Sequence, residues 1–277
     1  MPTVKVNGAK LNYIEAGRGP ETLVLAHGLI MSSSSFREQV RSLSDRYRVV
    51  AYDHRGHGRS SVTASGYDMD AITEDAAQLI EHLGAPVHFG GLSMGGFVGL
   101  RLAARRPHLL RSLILMATSA DALEGNAATA RALASGFVRY FGFGPIAKRA
   151  IKTMYGPAYL SHPEHSAAAL AYVKGLPKSL WRPLAAVIDR PSVAHELARI
   201  TVPTLVMVGM SDTLLPPPNS YRLAAGIPHA KLVKIPGTGH LITDENPSAA
   251  TAAIASFLAS LGRSSKGTEF SFAASGD

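Results

Sequence analysis

One serine set among glycines, one aspartate and one histidine supply the chemistry this sequence can do. Gly91-Leu92-Ser93-Met94-Gly95 fits the pattern G-x-S-x-G, with an apolar run before it and a helix-like pattern after it. A serine hydroxyl is too weak an acid to attack a carbonyl unaided, so a base must take its proton. His240, in the glycine-rich stretch "GTGH", is that base in this reading; Asp212, in "GMSD", fixes its tautomer and stabilises its cation. Asp244 and Glu245 compete with Asp212 as the acid, but they follow His240 and suit the start of a helix. The backbone N–H groups of Leu29, after the "HG" at 27–28, and of Met94 are the expected donors to a developing oxyanion.

Such residues act only if a scaffold gathers them. Short apolar runs at 22–28, 47–53, 87–93, 110–117, 202–209 and 230–237 read as strands, and the continuous run 22–28 suits a strand buried on both faces. Helical spacings fill the intervals at 35–46, 68–84, 94–107, 219–227 and 246–262. An opening hairpin turns at Asn7-Gly8. Strands alternating with helices at this rhythm indicate right-handed crossovers and a mostly parallel sheet. Ser93, Asp212 and His240 then all follow strand ends, and the crevice beyond those ends is where open α/β sheets hold their sites. The rhythm breaks over 118–200, where alanine-rich helical patterns contain no convincing strand. The expected division is therefore a core of 1–117 and 201–262, a helical insertion at 118–200, and a disordered tail at 263–277.

The 277 residues, 46% apolar and 17% charged, are ample for one large buried core. Without cysteine, disulfides, thiolate metal ligands and a cysteine nucleophile are excluded. The charge of +8 comes from scattered residues such as Arg101, Arg105, Arg106 and Arg111, so no nucleic-acid partner is expected. The strand-like N-terminus lacks the apolar stretch of a signal peptide, and no run suffices for a membrane span. A cytoplasmic protein with no membrane insertion is the expectation. His54 and His57 in "DHRGHGRS" have a spacing that metals use, as do His162 and His165, but no further ligands accompany either pair and no metal is expected.

The segments "HG" at 27–28, "DHRGHGRS" at 53–60, "GLSMGG" at 91–96, "GMSD" at 209–212 and "GTGH" at 237–240 resemble those of an α/β-hydrolase with a helical cap, over about residues 10–262. The likeness is greatest to the branch of small carboxylesterases, enol-lactonases and cofactor-free haloperoxidases. It implies an eight-stranded, mostly parallel sheet flanked by helices, with the insertion covering the site. A serine stands where similar dehalogenases and epoxide hydrolases carry aspartate, which sets those chemistries aside. The expected activity is hydrolysis of a small-molecule ester or lactone through an acyl-enzyme, with no cofactor. His27, Leu29, Met94, Phe137, Tyr140, Trp181 and Leu241 are the expected pocket residues. The alternatives are a carbon–carbon bond hydrolase of ring-cleavage diketones, in which Arg182 or Arg190 meets a substrate carboxylate, and a ligand receptor on the same fold. The oligomeric state is left open.

Overall fold

A computed structural model describes residues 1–123 and 125–264. Eight strands form one sheet: β1 (Thr3–Val6), β2 (Ala9–Ala16), β3 (Thr22–Ala26), β4 (Arg48–Tyr52), β5 (Val87–Leu92), β6 (Leu110–Met116), β7 (Thr204–Gly209) and β8 (Lys231–Ile235). Their order across the sheet is β1-β2-β4-β3-β5-β6-β7-β8. The first two strands form the antiparallel hairpin, β2 runs antiparallel to β4, and every other pairing is parallel. The strands alternate their apolar side chains between two cores. Val24, Val50, Phe89 and Leu113 face one core, while Leu23, Val49, Ile114 and Leu205 face the other.

The sheet is packed by α1 (Arg37–Leu43), α2 (Met69–Leu83) and α3 (Met94–Arg105). Between β6 and β7 the chain forms α4 (Ala127–Phe141), α5 (Ala147–Met154), α6 (Pro157–Leu160), α7 (Pro163–Lys174) and α8 (Trp181–Ile188), with no strand among the described residues. After β7 come α9 (Pro217–Gly226), the short α10 (Ile242–Glu245) and α11 (Pro247–Ser264). The helix α11 takes Arg263 and Ser264 from the expected tail; the rest of that stretch lies outside the described residues. Helix starts obey local chemistry. Asp68 caps α2 by accepting the Ala71 N–H at 2.9 Å, and Gly84 closes that helix in a left-handed conformation. Asp68→Ala should lower stability by about 1 kcal/mol in a urea titration, the usual cost of a lost N-cap.

The loop 53–60 is a structural knot beside the sheet. Asp53 accepts from Ser33 N (2.7 Å), Arg59 N (2.9 Å) and Asn12 Nδ2 (2.9 Å). Arg55 pairs with Asp75 through two bonds of 2.8 and 2.6 Å, and both side chains are buried. The imidazoles of His27, His54 and His57 pack edge to face, with centroids 4.7 to 6.2 Å apart. Nothing in the composition hinted that these three rings would share one buried site.

Candidate active site

Ser93 occupies the junction of β5 and α3 with φ 51° and ψ −109°. A non-glycine residue pays for this strained conformation, and such outliers concentrate where function requires them. The neighbouring glycines make the turn feasible. A Cβ on Gly91 would collide with the carbonyl oxygen of Gly95, and one on Gly95 with that of Ala26 in β3. Main-chain bonds fix the turn: Ser93 N–H donates to Met116 O at 2.9 Å, and the Thr118 hydroxyl donates to Ser93 O at 2.8 Å.

Asp212 and His240 follow β7 and β8, parallel neighbours within the same sheet, and so lie at the same sheet edge as Ser93. Both are 3% exposed, and His240 Nδ1 is 2.8 Å from Asp212 Oδ2. Asp212 Oδ1 is held in turn by the N–H groups of Leu214 and Leu215, each at 2.9 Å. With a carboxylate at Nδ1, that nitrogen carries the proton and Nε2 is left as the basic one. The expected rival Asp244 lies on α10, near Tyr155 rather than His240; the Tyr155 hydroxyl is 3.4 Å from its Oδ2. Burial pushes the Asp244 carboxyl up to about 6.

Glu245 has a task that the sequence did not disclose. Its carboxylate accepts from Gly239 N (2.8 Å) and Leu241 N (3.1 Å), the amides on either side of His240, and from Gly156 N (2.8 Å) in the helical insertion. Burial raises its pKa, while those three N–H donors oppose the rise. His240 N–H also donates to Met154 O at 3.1 Å, so the insertion and the histidine loop are joined twice. The acidic pair at 244–245 suggested only a helix start; the spacing of Glu245 five residues after the histidine carried no recognisable signal.

Met94 is the first residue of α3, where an amide has no carbonyl within its own helix. Gly28, just before Leu29, lies against Ser93: a Cβ there would be 3.4 Å from the serine Cβ. The expected pocket side chains lie in different surroundings. His27 is fully buried; its Nδ1 bonds to Gly28 O at 2.7 Å and its Nε2 accepts His54 N–H at 3.0 Å, so it braces the turn from behind. The Met94 and Leu241 side chains join opposite cores, and Leu29 is half-buried between them. Trp181 lines a cleft of about 310 Å³ with Arg182 and residues of the 64–69 loop. Tyr140 is 68% exposed and Phe137 37%, because α4 buries Ser135 and Val138 instead. Aromatic identity did not reveal which side of that helix would face inward. Arg182 lies over Trp181 (4.9 Å), and buried Arg190 lies over Phe97 (4.3 Å), one helical turn beyond Ser93.

A mostly parallel eight-stranded sheet, a strained serine turn after its central strand, and an acid–imidazole pair at the same edge define a hydrolase of the α/β type. The chain belongs to that family: the model for the alpha/beta hydrolase fold matches residues 21–247. Among its relatives, 3-oxoadipate enol-lactonase 2 of Acinetobacter baylyi is 30% identical over 259 residues, covering 89% of this chain and 92% of the relative. A protein named as the carbamate hydrolase RutD of Agrobacterium fabrum is 30% identical over 247 residues, covering 86% and 92%. The solved structure of a thermophilic esterase from Thermogutta terrifontis superposes with a TM-score of 0.88 at 31% identity, covering 94% of this chain and 99% of that one. The chain is thus a hydrolase enzyme, and among the described residues no helix is long and apolar enough to cross a membrane.

Proposed function

We propose that this hydrolase cleaves a small carboxylic ester or lactone through an acyl-enzyme on Ser93. The observation that supports the reading is the buried bond between His240 Nδ1 and Asp212, which leaves Nε2 as the basic nitrogen of a histidine that follows β8 at the same sheet edge as the strained Ser93. His240 takes the serine proton as Oγ adds to the carbonyl carbon, and the carbonyl oxygen becomes an oxyanion. The N–H groups of Leu29 and Met94 receive that charge; one such donor is worth about 2.7–4 kcal/mol in the transition state. The tetrahedral adduct collapses as the imidazolium gives its proton to the leaving alcohol oxygen, and for a lactone that oxygen stays tethered to the acyl group. Water, deprotonated by His240, then repeats the addition and frees the acid and Ser93. Every proton is accounted for within the three side chains and water, so the cycle needs no cofactor.

The relatives support the choice of carbonyl substrate, since enol-lactones, esters and carbamates all present an acyl carbon with an oxygen or nitrogen leaving group. The helices α4–α8 serve as the cap, with the 154–156 segment resting directly on the histidine loop. Steady-state assays of a p-nitrophenyl ester series, an enol-lactone, a carbamate and a vinylogous diketone test the reading. Multiple turnover of esters or lactones is expected, with a phosphonate inhibitor adding covalently to Ser93 by mass spectrometry. Turnover of the diketone alone would establish the carbon–carbon bond hydrolase instead. Ligand-dependent capture of a partner without turnover would establish the receptor.

A further inference from the structure

The positive charge of this chain is concentrated, although the sequence read it as scattered. Residues 127–190 hold nine Lys and Arg against two Asp and Glu, a net +7 out of the whole chain's +8. Arg131 spends its charge on Asp189 at 3.0 Å, and Arg190 is buried. Arg139, Lys148, Arg149, Lys152, Lys174 and Lys178 are exposed.

The same lobe carries an apolar stripe that is exposed among the described residues. On α4, Leu133 (69% exposed), Phe137, Tyr140 (68%) and Phe141 (64%) stand at i, i+4, i+7 and i+8, which is one face of a helix. The helix packs through its other side, where Ser135 and Val138 are buried. Phe137 and Phe141 lie ring against ring at 5.0 Å. Cations frame the end of the stripe: the Arg139 guanidinium lies 5.8 Å from the Tyr140 ring, and Lys178 Nζ donates to Tyr140 O at 2.6 Å. A contiguous exposed apolar face marks a contact surface. Two copies meeting stripe to stripe would bring two strongly positive lobes together, so the charge favours an anionic partner. Aromatic and aliphatic side chains along one helix face, flanked by Lys and Arg, are what an interfacial helix presents to lipid headgroups.

We propose that the outer face of α4 seats this enzyme on an anionic lipid surface, with Leu133, Phe137, Tyr140 and Phe141 entering the headgroup layer and the cap's Lys and Arg pairing with lipid phosphates. This attachment is peripheral and leaves the core in water. Co-sedimentation of the full chain with extruded vesicles tests it, using phosphatidylcholine alone and phosphatidylcholine mixed with phosphatidylglycerol. The partition coefficient should be at least about tenfold higher on the anionic vesicles and should fall as salt is raised, because surface attraction to basic residues is screened. Leu133→Ser with Phe141→Ser should lower it by at least about tenfold while leaving thermal melting unchanged, since both residues are exposed. Arg139→Glu with Lys178→Glu should remove the preference for anionic vesicles. Equal binding to both vesicle types, or undiminished binding by the Ser variant, overturns the proposal. So does a dimer in sedimentation velocity that the Ser variant dissolves, because the stripe would then belong to a second copy.

Discussion

Ser93→Ala lowers kcat on an activated ester by about a millionfold, the scale of loss when a triad serine is removed. In the proposed cycle Ser93 alone forms the acyl-enzyme: an alanine methyl has no lone pair to offer, and His240 would be left with only water to activate. What survives is catalysis by the oxyanion donors and by binding. Asp212→Asn should cost thousands of times in kcat with the fold intact. The amide NH2 cannot accept from His240 Nδ1–H, so the ring flips its tautomer and loses the basic Nε2. The two losses should not add, since either change disables the same proton path. Steady-state turnover of the single and double variants, with active-site titration, checks this. Near-normal turnover by Asp212→Asn would transfer the orienting role to another carboxylate and sink the assignment.

Acid should unfold this protein earlier than its surface charges alone would dictate. Burial holds the His27 imidazole down to about 4 and that of His57 to about 3, and His54 lies well below the ordinary range, pressed further by its two ring neighbours. In the unfolded chain each titrates near 6.5. A native pKa below the unfolded one means that the unfolded state binds the extra proton. The penalty is therefore absent above about pH 6.5 and grows as pH falls toward the native values. At pH 5 it reaches about 2 kcal/mol for each ring, or roughly 4 kcal/mol for His27 and His57 together relative to pH 8, with His54 adding in the same direction. Orphaned nitrogens sharpen the expectation: His54 Nδ1 and His57 Nε2 are buried without a hydrogen-bond partner, so a proton added there gains no acceptor. Urea titrations at pH 8, 6.5 and 5 measure the effect. A free energy of unfolding that does not change across that range would contradict it. His57→Gln should flatten the acid limb by about 2 kcal/mol whatever it does to stability at pH 8.

The sheet could be read from the sequence because its strands are short apolar runs bounded by glycine and polar breaks, a local signal. The serine turn was equally legible: Gly91 and Gly95 are dictated by backbone collisions within five residues of Ser93 and with the neighbouring strand. Asp212 and His240 are singled out in the sequence by chain order and strand ends, not because either residue is distinctive. The pocket was not legible. Whether Phe137 or Val138 faces inward depends on how α4 packs against its neighbours, and the apolar stripe that periodicity would turn inward is the one the fold leaves exposed. Glu245 was missed for a related reason: its partners are backbone amides 89, 6 and 4 residues away, and amides carry no sequence identity. The buried histidines posed the opposite problem. Their spacing was visible, but only the fold shows that backbone groups hold both nitrogens of His27 and one nitrogen each of His54 and His57.

The three-way grip of Glu245 also limits how this molecule can breathe. A lobe that swung away as a unit would tear Gly156 from the carboxylate and Met154 from the His240 amide, and would dislodge the imidazole to which we assign the proton transfer. Any movement of the lobe that keeps these bonds intact would therefore open away from 154–156.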